Sequence, residues 1–223
     1  MSLEFELFEG LYDLFVPVVA KTGSATGTAD SGSTLTMVDS DLTGADDAWQ
    51  FAVLLFTSGD NAGKSRVISN SVASTDLLKW RRELPHAVEA ADGYTLSFGR
   101  MSGAVLYLGA PEAYGNDDFL AVGTTLEGSA VHGASGSTHP RFRDEPTVGM
   151  LCGIPLEHGI ANLRDAADFL SQIKTVLQVN QMVSPGAVLG AMKRYTMDLA
   201  SLRGQGTALW RVSEIEVAVG AWT

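Results

Sequence analysis

The stretch Phe51 to Val67, FAVLLFTSGDNAGKSRV, places an apolar run before a glycine-rich turn and then Gly-Lys-Ser. That order suits phosphate chemistry. In a P-loop, G-x-x-x-x-G-K-[ST] joins a strand to a helix. Successive backbone N–H groups wrap the β-phosphate, the lysine reaches the γ-phosphate, and the helix N-terminus adds positive dipole. Here the spacing is one residue short. Gly59 and Gly63 enclose three residues, and Ser58 stands where the first glycine belongs. The residues after Ser65, RVISNSVAST, are poor helix material. The preferred reading is a β-hairpin, with SGDNAG as the turn between a buried strand and a more polar one.

The other reactive side chains do not assemble into a recognisable centre. Of the four histidines, His86, His132, His139 and His158, two lie in the segment 123–140, with Asp144 and Glu145 following, and their spacing matches no metal-ligand pattern. Ser135 in GASGS lacks the last glycine of a G-x-S-x-G elbow and has no strand feeding it. Cys152 is the single cysteine; its apolar context, GMLCGIPL, reads as a small buried hydrophobe rather than a nucleophile. Trp80, Arg81 and Arg82 form either a phosphate or partner contact or a solvated strand edge. The pairs Asp46–Asp47 and Asp117–Asp118 are ordinary loop carboxylates that calcium would also accept. No catalytic, cofactor or metal site is expected.

The elements around these residues indicate an α+β chain. It has 223 residues, 45% apolar and 18% charged, enough for one large domain or two small ones. The longest apolar run, Phe51 to Phe56, is far below the roughly 20 residues of a membrane span. The start, MSLEFELFEG, is acidic where a signal peptide is basic, so a soluble chain without an export signal is expected. Net charge is −11, and residues 1–120 carry 17 Asp and Glu against 7 Lys and Arg. That balance disfavours tight binding to a phosphate backbone.

Residues 1–21 read as a helix, with Leu7, Leu11, Leu14 and Phe15 on one face bordered by Phe8, or as an extended arm with Leu3, Phe5 and Leu7 at period 2. Pro17 closes the helical alternative. Residues 22–100 read as a small antiparallel β module. Its strand signals lie in STLTMVDS, FAVLLFT, KSRVISN, DLLKWRREL and YTLSF, the last with Tyr94, Leu96 and Phe98 on one face. Residues 101–223 are mixed. They hold a long Gly/Ser/Thr loop over 123–140, a helix over 162–180 capped by Asn162, a second helix over 185–203 opened by Ser184-Pro185 and closed by Gly204, and a final strand over 207–220. The spacing predicts an αα-hairpin packed through Leu170, Ile173, Leu177, Met192 and Leu199.

The segment Gly27 to Phe98 runs GTADSGSTLTMVDSDL, then AWQFAVLLFTSGDNAGKSRVISNSVAST, then LPHAVEAADGYTLSF. It resembles a β module of structural proteins in tailed-bacteriophage virions, where a G…G.SR.I hairpin is followed by a Pro-containing stretch and GD.Y.I. This chain has DGY in place of GD.Y, and the resemblance covers roughly 70 of its residues. It implies a non-enzymatic virion protein, assembled in the host cytoplasm. The implied role is a ring-forming subunit of the head–tail connector or upper tail: an adaptor, stopper or tail terminator. A capsid-decoration or tail-fibre protein is the alternative, though the chain has no fibre-like repeat. The expected partners are copies of itself in a homo-oligomeric ring and other virion proteins of the portal, neck or tail. DNA would pass nearby without sequence-specific binding, and no membrane is involved. The expected intersubunit contacts are Phe5, Leu7, Phe8, Leu11, Leu14 and Phe15 of the N-terminal segment and Val131, His132 and His139 of the long loop.

Overall fold

In the computed structural model, backbone is described for residues 3–113, 115, 117–127, 130–131, 143–144, 147–155, 160–180, 182–184, 187–195, 198–201 and 209–221, and side chains for 7–113, 115, 117–125, 147–155, 163–180 and 210–218. The chain divides into two compact units. One comprises Met1–Val19, Gly103–Ala166 and Asn180–Thr223; the other comprises Ala20–Ser102 and Ala167–Val179.

The chain opens with helix α1 (Leu3–Val19). Pro17 lies inside its last turn, where the helix is about to stop anyway. Leu7, Leu11, Phe15 and Val18 fall on one face and are at most 1% exposed. Within its own unit the helix packs on three strands described below, Val105–Leu108, Phe119–Glu127 and Met182–Ser184. The N-terminal segment is therefore a helix with its apolar face in its own core. Leu7, Leu11 and Phe15 offer no surface to a neighbouring subunit, whereas Phe8 and Leu14 are half-buried. The side chain of Phe5 lies outside the described residues.

The second unit holds eight short strands: β1 (Ser24–Thr28), β2 (Ser31–Gly32), β3 (Thr36–Val38), β4 (Val53–Phe56), β5 (Ser65–Val67), β6 (Asn70–Val72), β7 (Leu77–Lys79) and β8 (Gly93–Ser97). They form two four-stranded antiparallel sheets, ordered β1-β8-β4-β5 and β2-β3-β7-β6. Met37 and Leu78 from one sheet and Leu54, Phe56, Tyr94 and Leu96 from the other share one core, so the sheets form a sandwich. Tyr94, Leu96 and Phe98 alternate inward as their period requires.

The other unit is built on a seven-stranded sheet. Its strands are β9 (Val105–Leu108), β10 (Phe119–Glu127), β13 (Thr147–Pro155), β14 (Met182–Ser184), β15 (Ala187–Tyr195), β16 (Asp198–Ser201) and β17 (Leu209–Ala221); a separate pair joins β11 (Ala130–Val131) to β12 (Arg143–Asp144). The long β17 is the spine, with β13 along one edge and β15 and β16 end to end along the other. Only β9 and β10 run parallel. Phe119, Trp210 and Val212 cluster on this sheet, with Tyr107 packed against them. Helix α1 meets β10 at Gly123. A Cβ there would lie 2.7 Å from the Phe8 ring, and φ is +78°, so no other residue suits the position.

Helix α2 spans Ile160–Val179. It starts before Asn162, which is inside the helix rather than its cap. Ala166, Phe169, Leu170, Ile173, Val176 and Leu177 are buried, whereas Leu163 near the start of the helix is 47% exposed.

Two expectations are corrected. Residues 187–195 and 198–201 are strands where a helix was expected, so no αα-hairpin forms among the described residues. Ser184 ends β14, and Met192 and Leu199 lie in β15 and β16. A four-residue step such as Val188 to Met192 also fits a strand's period of two, and hydrogen bonding to β17, from Ala187↔Ala221 to Ser201↔Leu209, decides for the strand. Likewise, residues 123–127 belong to β10 and Val131 to β11 rather than to a loop. His132 and His139 lie outside the described residues.

Ile173 is 0% exposed. Ile173→Ala should cost about 2–5 kcal/mol in urea denaturation; a cost near zero would contradict burial of this face.

Candidate functional site

The P-loop-like stretch folds as an antiparallel hairpin. Strands β4 and β5 pair as Val53↔Val67, Leu54↔Arg66 and Leu55↔Ser65, and β5 is followed by β6, not by a helix. The turn is fixed by one side chain and one glycine. Asn61, fully buried, donates from Nδ2 to the carbonyls of His86 (3.1 Å) and Ala87 (3.3 Å) and accepts from the His86 N–H (3.3 Å). Gly59 has φ +77°, and a Cβ there would collide with the Asp92 carboxylate. The glycines therefore serve backbone geometry, not phosphate wrapping.

The hairpin nevertheless delivers its Lys-Ser-Arg to a cleft of about 540 Å³ lined entirely by residues of the β-sandwich unit. Three stretches of chain form it. The turn and β5 contribute Lys64, Ser65 and Arg66. The stretch after β7 contributes Arg81 and Arg82, exposed because Trp80 is buried and its indole N–H donates to the Thr34 carbonyl at 2.9 Å. Helix α2 contributes Asp168, Ser171, Lys174, Thr175 and Gln178, one helical face. Five of the unit's eight Lys and Arg line this cleft, although the unit holds eleven Asp and Glu. Asp168 is the only acid among them, and it accepts the Ser65 hydroxyl at 2.7 Å.

Arg66 organises the walls. Its guanidinium donates to the carbonyls of Ser65 (2.6 Å), Arg82 (2.8 Å) and Glu83, clamping the arginine-bearing stretch to the edge of β5. Burial, and secondarily the adjacent Arg82 charge, hold its pKa below the usual arginine value. Lys64, Arg81 and Arg82 are exposed, and their side chains make no hydrogen bond or ion pair among the described residues. The helix wall is held by Gln172. This amide is 0% exposed, and its Nε2 donates to the carbonyls of Phe51 and Phe98, both at 2.9 Å. Phe51 adopts φ +73°, uncommon for an aromatic residue, and its N–H is taken by the Ile68 carbonyl at 2.8 Å.

The remaining candidates are accounted for separately. Cys152 is buried on β13, and burial pushes its thiol up to about 12, so it carries no thiolate at neutral pH. His86 is exposed; Ser135 and His158 lie outside the described residues. Asp46 and Asp47 brace a loop, accepting from the Ala73 N–H (2.8 Å) and from Asn70 Nδ2 (3.2 Å). Asp117 is exposed at the surface. Lys21, which the sequence did not single out, donates to the carbonyls of Asp47 (2.7 Å) and Gln50 (3.3 Å) and lies over the Phe51 and Phe98 rings; burial lowers its pKa. Among the described residues no group of three or more His, Cys, Asp and Glu is placed to hold a metal ion, and no helix is long and apolar enough to cross a membrane.

No family model matches the chain, and no curated protein is significantly similar to it.

Gln172→Glu gives a pH-dependent test of the helix wall. A carboxylate facing two carbonyls is held neutral, so its folded pKa rises above the unfolded value of about 4.3. Protonated, the acid has one O–H for two carbonyls, so stability should already lie below the parent's at low pH and should fall further as pH rises above that value. Urea midpoints at pH ~4 and ~8 check this; equal losses at both would contradict the contact.

Proposed function

We propose that the chain is a structural subunit of a tailed-bacteriophage virion. Copies of it close into a ring at the head–tail junction or upper tail, in the role of adaptor, stopper or tail terminator. The observation that carries this reading is the 27–98 segment. Its residues make a sandwich with its own core, and its hairpin places Gly59 and Gly63 at positive φ and the Ser-Arg pair on an edge strand. Those are the positions on which the resemblance to the virion β module rests.

The candidate reactive groups support a non-catalytic role. The Cys152 thiol is buried and its pKa raised, and the Lys21 ammonium is engaged with two carbonyls. The chain order also suits assembly. The sandwich is inserted between α1 and the strands that complete the other unit, so one chain carries two separately built units. A ring closes by packing one face of a copy against a different face of the next. Other virion proteins would bind above and below, and DNA would pass without sequence-specific contact, as the −11 net charge favours.

Negative-stain images of the purified chain should show closed rings with a central hole. Compact particles of single-chain size at every concentration would contradict the proposal.

A further inference from the structure

The β-sandwich unit carries a basic cleft and, apart from it, an acidic loop. The β5 edge carries the cleft with Lys64, Arg66, Arg81, Arg82 and Lys174. The loop Asp39–Asp47 holds four aspartates and no lysine or arginine; its start lies against β1, three strand spacings or about 14 Å from β5, and Asp46 and Asp47 are tied to the β6 stretch of the other sheet. Asp39 and Asp41 line a hollow against β1 itself.

Both features are preformed. In the loop, the Asp39 carboxylate accepts the Tyr94 hydroxyl and the Asp41 N–H, the Ser40 N–H is held by Asp30 at 2.7 Å, and Asp46 and Asp47 are tied as described above. Asp41 and Asp46 remain exposed. In the cleft, the Arg66 clamp fixes the Arg81–Arg82 stretch. A cluster of like charges with no acid folded over Arg81 and Arg82 is unfavourable in an isolated chain, and the same unit has acids to spare. Two copies at −11 each repel overall, so contact between them requires a place where the sign reverses.

We propose that the basic cleft at the β5 edge receives the acidic 39–47 loop of a second copy of this chain. This inference rests on the ring reading and specifies its contact. A projecting acidic loop entering a concave basic cleft on the next copy is heterologous, as ring closure requires, and rigid partners lose little entropy on docking.

Charge reversal tests it. Arg81→Glu with Arg82→Glu sets acid against acid, and Asp41→Lys with Asp46→Lys sets base against base. Each pair of changes should weaken self-association at least about tenfold; thermal melting should be unchanged for the arginine pair and slightly lowered for the aspartate pair, because the Asp46 carboxylate accepts the Ala73 N–H. Combining all four restores opposite charges and should restore assembly. If the parent chain assembles and both variants assemble equally well, the contact is wrong while the ring stands. If the parent never self-associates, the ring reading fails and this inference with it. Loss of duplex-DNA binding in the arginine variant, with self-association unchanged, would assign the cleft to nucleic acid and overturn the proposal.

Discussion

The Gln172 side chain donates to two main-chain carbonyls that lie 121 and 74 residues away in sequence. Both bonds use the NH₂ group, so the amide orientation is forced by its partners. Its own Oε1 has no hydrogen-bond partner among the described residues. The second half of α2 is thereby fixed to the sandwich at Phe51 and Phe98, beside the strained Phe51 backbone. Trp49 stacks on the Phe98 ring with centroids 6.0 Å apart, and Lys21 lies over it at 5.9 Å. Without these bonds the Phe51 carbonyl would be buried unpaired, a cost of about 1–3 kcal/mol. With them, α2 supplies a wall, and the edge of a β-sheet becomes a cleft.

That wall gives the basic residues their meaning. Lys64, Arg66, Arg81 and Arg82 on a bare strand edge would be a solvated rim, useful mainly in blocking edge-to-edge pairing. Set opposite α2, they line a concavity, with Asp168 bonded to Ser65. The loop Asp39–Asp47 of the same unit carries aspartates instead. A small unit polarised in this way has a built-in direction, and direction is what separates a closing ring from a symmetric pair.

Much of the sandwich was legible in the sequence. Period-2 alternation in YTLSF and Asp/Asn/Gly turn chemistry in SGDNAG depend only on neighbouring residues. Helix α2 was legible for the same reason, since its apolar seam recurs locally. Residues 187–195 and 198–201 were misread because the local spacing favours a helix, while the pairing with β17 that makes them strands is non-local. Gln172 was missed because a lone glutamine inside an apolar seam has no motif. Its place among Phe169, Ile173 and Val176 on the buried face was the available signal. The cleft was seen only in fragments, as GKS and WRR, because its cations at 64, 66, 81, 82 and 174 meet only after folding.

The account holds that copies of this chain join through opposite charges, the basic cleft of one copy and the acidic 39–47 loop of the next. The most direct measurement is molar mass by light scattering as salt is raised from about 0.1 M to about 1 M, which shortens the Debye length from about 10 Å to about 3 Å. A fixed multiple of the chain mass at low salt, falling towards the single chain at high salt, is the predicted result. A single-chain mass at every salt concentration, or a multimer indifferent to salt, would contradict it.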